Sequence, residues 1–190
     1  MKNSYDFFER LVAPGPRLPW IKKWLLNEVW NRENYQKYSP IEFLNRGESA
    51  VNDFEQLLAA AADRTYGELL AGSDSSKSVM ESLSQPASAV VVFDGLSLRE
   101  SPMVISLAEK SGLKITRIDA ALAAIPCETM DFIARELPCG RIAPSQLPQR
   151  KELKEKDVTV VYSSNYTQGI SKNDEAASLL VWSSFPDVTY

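Results

Sequence analysis

Two short segments carry the residue types most suited to chemistry. The first is Asp94-Gly95, which follows the unbroken apolar run Ala89-Val90-Val91-Val92-Phe93. A run of this kind, rich in β-branched residues and free of polar ones, fits a strand covered on both faces in a parallel sheet. Ligands of such sheets collect beyond the carboxyl ends of the strands, where Asp94 would stand, while Gly95 lets the chain turn sharply and approach a ligand closely. The second segment is Ile125-Pro126-Cys127-Glu128-Thr129, a proline and an acid before a helical pattern. It fits a helix start, with Glu128 as first-turn acid. The same geometry offers backbone N–H groups to a phosphate and places the Thr129 hydroxyl to attack phosphorus. Each segment also has a plain structural reading, as a turn after a strand and as a capped helix.

What is missing narrows the chemistry further. The chain has 190 residues and no histidine, which removes Ser-His-Asp and Cys-His catalysis, histidine bases and metal sites built on imidazole. Cys127 and Cys139 are too few for a disulfide framework, and free thiols in a reducing compartment are expected. Cys127 beside a helix start has a setting that lowers thiol pKa values, but packing is the preferred reading. The net charge of −4 gives no general attraction to polyphosphate. The basic residues that cluster, Arg141 with Arg150, Lys151, Lys154 and Lys156, are interrupted by Glu152, Glu155 and Asp157. That segment leaves nucleic-acid contact open against a solvated, salt-bridged helix face. The start of the chain lacks a signal-peptide pattern and no apolar run has membrane-spanning length, so a cytoplasmic protein without a membrane partner is expected.

The elements that must position these residues fall into two kinds. Residues 1–72 are expected to form a helical module. Tyr5, Phe8, Leu11 and Val12 recur at helical spacing, Pro14, Gly15, Pro16 and Pro19 break the chain, and Trp20, Trp24, Leu25 and Val29 form a second stripe. A short helix after Pro40 and a longer amphipathic one from Glu48 to Ala71 complete it. Residues 73–87, rich in serine, read as a linker with one weak helical turn from Met80 to Leu83. Residues 88–190 read as alternating strands and helices: strands at 89–93, Leu113–Ile118, Val158–Tyr162 and Leu179–Trp182, and helices at Pro102–Ser111, capped by Ser101 and stopped by Gly112, and at Cys127–Leu137. This order implies an α/β fold with an open, mostly parallel sheet and right-handed crossovers.

The segment VVVFDGLSLRESP, followed some thirty residues later by AAIPCETMDF, resembles the opening of PglZ domains of the alkaline phosphatase superfamily. The ending LLVWSSFPDVTY resembles a stretch further along those proteins, so the likeness spans about residues 88–190. The resemblance implies an alkaline-phosphatase-like sheet of which this chain holds the front part. It implies Asp94 as a metal ligand and Thr129 as the nucleophile that accepts a phosphoryl group. It further implies a divalent metal, Zn or Mn, for the complete domain, with possible absence of a metal from this chain alone. A threonine hydroxyl is a poor nucleophile at neutral pH, and metal coordination is one of few ways to activate it without histidine. The superfamily also uses an Asp-His pair and further ligands downstream, which this sequence does not contain. Two readings follow, a fragment of a longer protein that is incomplete as an enzyme, or a short relative that kept the fold's front half for another purpose; the fragment is favoured because a sheet cut after its fourth strand exposes an edge.

The function implied is the N-terminal part of a metal-dependent phosphotransferase or phosphodiester hydrolase in bacterial phage defence of the BREX type. The expected partners are the rest of a longer parent chain or other defence-system proteins, with a homo-oligomer as a further form. The competing reading is a non-catalytic interaction module of a defence complex, which predicts a large exposed apolar patch. A haloacid-dehalogenase-like phosphatase is disfavoured because Leu96 stands where a second acid is needed, and a Rossmann site because no G-x-G-x-x-G follows a strand. Arg99, shortly after Asp94, is a candidate for facing a phosphate, against the reading of a surface residue ahead of the next helix.

Overall fold

The computed structural model describes residues 9–10, 12–59, 62–71, 78–123, 125, 127–165 and 177–184. The expectations for Tyr5, Phe8, Leu11, Pro126, the serine-rich residues 73–77 and the terminal residues 185–190 lie outside them. The chain is α/β and divides into two compact units that interleave in sequence. One comprises residues 1–74 and 97–122, the other residues 75–96 and 123–190.

The first unit is helical. Helix α1 (Leu18–Trp24) runs into a π-helical turn over Leu25–Val29, followed by α2 (Arg32–Lys37), α3 (Pro40–Leu58), α4 (Ala62–Ala71) and, after a 3-10 turn at Leu98–Glu100, α6 (Ser101–Lys110). Asn31 starts α2 by accepting the Asn34 amide at 2.8 Å, an N-cap that satisfies a donor the helix leaves free. Trp30 and Phe43 meet edge to face at 5.5 Å, Tyr35 joins Phe43 at 5.4 Å, and Leu98 and Met103 pack against the same cluster. These contacts, with the Arg32–Glu109 ion pair at 2.7 Å, explain why residues 97–122 group with the N-terminal helices.

Two helical expectations are refined and one strand expectation is overturned. A single helix passes through Gly47, where two were expected to meet, and the Trp30 ring lies on the helix there; a Cβ on Gly47 would come within 1.9 Å of it. Ser101 lies inside α6, its hydroxyl donating to the Leu98 carbonyl at 2.7 Å, while Gly112, at φ +85°, ends the helix as expected. Leu113–Ile118 does not form a strand. No described strand supplies it with a ladder, and Leu113 and Ile118 remain 63% and 51% exposed. Short apolar runs carry strand propensity, but a strand exists only where a neighbour completes its hydrogen bonds.

The second unit holds the sheet. Strands β1 (Ala89–Phe93), β2 (Val158–Ser163) and β3 (Ser178–Ser183) are all parallel, in the order β1-β3-β2, so β3 is central. Val92, Trp182 and Tyr162 stand side by side in register. One face is covered by α5 (Val79–Leu83), α7 (Thr129–Glu136), a 3-10 turn at Pro144–Gln149 and α8 (Lys151–Lys154). Leu83, Ile133, Leu137, Leu147, Leu153 and Leu180 are its buried centre. The turn expected near Met80 is thus α5, capped by Ser78 and locked to the sheet where Ser178 Oγ donates to the Leu83 carbonyl at 2.7 Å. No described helix is long and apolar enough to cross a membrane.

Candidate functional site

The site lies within the second unit, at the carboxyl end of the sheet. The Asp94 amide donates to the Ser183 carbonyl at 2.8 Å, extending the β1–β3 ladder by one residue and fixing the carboxylate at the strand's end. Gly95 then turns at φ +81°, a conformation open to glycine and costly for most other residues. Asp94 continues the alternation of Val90 and Val92, whose side chains pack on the helix-covered face.

Helix α7 begins at Thr129, two residues later than the sequence pattern suggested, with Glu128 at the N-cap in extended conformation (φ −75°, ψ 146°). This start puts Thr129 in the first turn, where backbone N–H groups lack intrahelical partners. Its amphipathic pattern buries Ile133 completely and seats the helix on the sheet. The Thr129 hydroxyl donates to Asp94, with Oγ1 at 3.1 Å from Oδ1 and 3.3 Å from Oδ2. Residues separated by 35 positions therefore share one hydrogen bond at one edge of the sheet.

A third residue was not singled out from the sequence. Trp182, on β3 and 2% exposed, donates its indole N–H to Asp94 Oδ2 at 3.3 Å. Its ring meets Phe132 of α7 edge to face, with centroids 6.1 Å apart. Both Ser163 and Ser184 are buried at the same ends of the neighbouring strands, and Ser184 Oγ donates to the Tyr162 hydroxyl at 2.9 Å. The alternation of Leu180, Trp182 and Ser184 along one run was the available signal, but it becomes readable only once the strand's register is known.

Arg141 also borders the helix start. Its Nη2 lies 2.6 Å from Glu128 and its Nε 2.8 Å from Asp131, so it bridges the residues on either side of Thr129. Those two carboxylates, Asp131 foremost, hold the guanidinium pKa above its usual value. Arg150 pairs with Glu152 at 2.9 Å, and the basic segment therefore spends at least two of its charges on acids of its own unit. Arg99 belongs to the first unit and binds Glu48 at 2.9 Å and Glu100 at 2.5 Å, as a surface residue would. Cys127 is exposed, and the buried Cys139 thiol is pushed up by desolvation.

The donor set can be compared with what a cation needs. Two oxygens that share an ion at about 2.1 Å stand about 3.0 Å apart in octahedral geometry and about 3.4 Å apart in tetrahedral geometry. The Asp94–Thr129 separations of 3.1 and 3.3 Å fall in that interval, and both atoms are hard oxygen donors. Among the described residues no group of three or more His, Cys, Asp or Glu side chains is gathered to hold a metal. By itself the pair supplies one carboxylate and one hydroxyl, fewer donors than a bound metal needs. No family model matches the chain, and neither a curated protein nor a solved structure matches it.

Proposed function

We propose that the second unit carries part of a PglZ-like metal-dependent phosphotransferase or phosphodiester-hydrolase site of the alkaline-phosphatase type, acting in bacterial phage defence and incomplete by itself. The observation that carries this reading is the hydrogen bond between Thr129 and Asp94, a hydroxyl at a helix start held against a carboxylate at a strand end. The motifs VVVFDG and IPCET, in which these residues lie, supply the resemblance that gives the pair its roles.

Asp94 and Thr129 would hold the cation, a Zn²⁺ or Mn²⁺, with the remaining ligands drawn from another part of a longer chain or from a partner. Bound there, the ion would supply the positive charge that acidifies the hydroxyl and offsets the charge of the phosphate. Without it, the Thr129 proton points to the Asp94 carboxylate. For reaction, that proton leaves to solvent, Oγ1 forms a bond to phosphorus, and the ester P–O bond breaks as its oxygen takes up a proton. Water then attacks the same phosphorus, which releases the phosphate monoester from a diester substrate and regenerates the hydroxyl. The first-turn amides of α7 favour the anionic group being transferred.

A titration with Mn²⁺ followed by electron paramagnetic resonance tests the reading. The wild-type chain is expected to bind weakly, Asp94→Ala to lose that binding, and Thr129→Val to weaken it. Uptake that is absent from the wild type, or unchanged in Asp94→Ala, contradicts it. The interaction-module reading has its own supporting observation: on the sheet face away from α7, Val91 and Phe93 of β1 are 50% and 42% exposed. Parallel sheets are ordinarily covered on both faces.

A further inference from the structure

We propose that Trp182 is the positioning residue of this site, setting both the orientation of the Asp94 carboxylate and its distance from Thr129. The inference rests on the reading of Asp94 as a cation ligand and goes beyond it by assigning a role to a residue outside the two motifs.

A carboxylate on a strand end must be held against rotation if it is to present one oxygen to an ion. Asp94 can rotate about its side-chain bonds, and the Thr129 hydroxyl alone does not select an oxygen, since it lies at nearly equal distances from both. The indole N–H breaks that symmetry. It donates to Oδ2, at 3.3 Å, which leaves Oδ1, the oxygen nearer Thr129, with the Thr129 hydroxyl as its one donor among the described residues. An oxygen relieved of competing donors is the better ligand, and hydrogen bonds to ligand carboxylates commonly orient them for an ion.

The same side chain governs the second coordinate. Trp182 is central in the sheet, between Val92 and Tyr162, and its ring packs on Phe132, one helical turn beyond Thr129. One rigid indole therefore contacts the strand-end carboxylate through its N–H and the helix bearing the hydroxyl through its ring. Being 2% exposed and confined by the core, it has little freedom to move, as positioning requires.

The test uses Trp182→Phe, which keeps an aromatic ring for Phe132 and removes the N–H, together with nuclear magnetic resonance of the indole N–H groups in the ¹⁵N-labelled full chain. Trp182→Phe identifies the Trp182 signal by its loss. The inference predicts that Asp94→Asn shifts this signal and that Trp182→Phe weakens Mn²⁺ binding by about 10-fold or more, the usual consequence of losing such a partner. A Trp182→Phe chain that folds and binds Mn²⁺ like the wild type overturns the positioning role while leaving Asp94 as a ligand. A Trp182 signal indifferent to Asp94→Asn overturns it too, and this arm decides the matter if Trp182→Phe fails to fold, with Trp182 then assigned by its contacts to Phe132. Absence of Mn²⁺ uptake by the wild type removes the ligand reading and the positioning role with it.

Discussion

At the residue scale, the Asp94–Thr129 hydrogen bond concentrates the chemical interest of the chain, and a carboxylate held by several hydrogen bonds lies in the first unit. Glu68 accepts from the Arg17 and Leu18 amides at 2.6 and 3.0 Å and from the Arg17 guanidinium at 2.9 Å. Burial pushes the Glu68 carboxyl up, but those hydrogen bonds and the Arg17 charge outweigh it and hold its pKa below the usual 4.5. A carboxylate whose pKa is lowered by folding contributes stability above its unfolded value and loses it as pH falls through the folded one. Thermal unfolding should therefore show stability that is constant in this respect above about pH 5 and declines below pH 4.5, with Glu68→Gln flattening the decline. Replacing Glu68 by Ala should cost about 1.5–3 kcal/mol, the range for hydrogen bonds to charged groups, because it takes the carboxylate from the Arg17 and Leu18 amides and from the Arg17 guanidinium. A denaturant midpoint unchanged in Glu68→Ala would contradict this. In the candidate site, the places of Asp94 at a strand end and Thr129 at a helix start were legible from sequence because each sits at a punctuated boundary, Asp94-Gly95 after an apolar run and Pro126 ahead of a helical pattern. Trp182 and Arg141 were not, since their partners lie 88 and 10–13 residues away and depend on strand register and on the path of the chain after α7.

At the element scale, helix α3 shows how packing overrides local preference. Glycine in a helix interior costs about 1 kcal/mol relative to alanine, so propensity alone favours Gly47→Ala. The Trp30 ring occupies the space that the added methyl would need, at a distance no pair of atoms tolerates. Gly47→Ala is accordingly expected to destabilise the first unit by about 1–3 kcal/mol, as overpacking does, measured by chemical denaturation. A stabilised variant would show that Trp30 does not sit on α3. Strands β1, β2 and β3 were readable as runs of β-branched and apolar residues, whereas Leu113–Ile118, with a comparable run, is not a strand. Sequence reports the propensity of a segment; whether a neighbour is there to pair with it is decided by the rest of the chain.

At the scale of the whole molecule, the expected division at residues 73–87 can be set beside the contacts. Residues 78–96 and 123–184 build the sheet unit, and residues 97–122, which follow β1 directly, pack with the N-terminal helices through Leu98, Met103 and the Arg32–Glu109 pair. Long-range packing of this kind leaves no composition shift at its boundaries, so the sequence shows the serine-rich segment but not the crossings near 97 and 122. Within the sheet unit, β3 has a hydrogen-bonded strand on each side and buries Leu180 and Trp182. Its amides should exchange with solvent more slowly than those of β1 and β2, and Leu180→Ala should cost about 2–5 kcal/mol. Equal exchange across the three strands would contradict the β1-β3-β2 order.

The central claim, that Asp94 and Thr129 form one edge of a cation site, is tested most directly by anomalous diffraction from crystals of the chain grown with Mn²⁺. The expected result is a manganese peak within about 2.3 Å of both an Asp94 carboxylate oxygen and Thr129 Oγ1. A peak elsewhere with the Asp94–Thr129 hydrogen bond intact, or no peak in the presence of Mn²⁺, would contradict it.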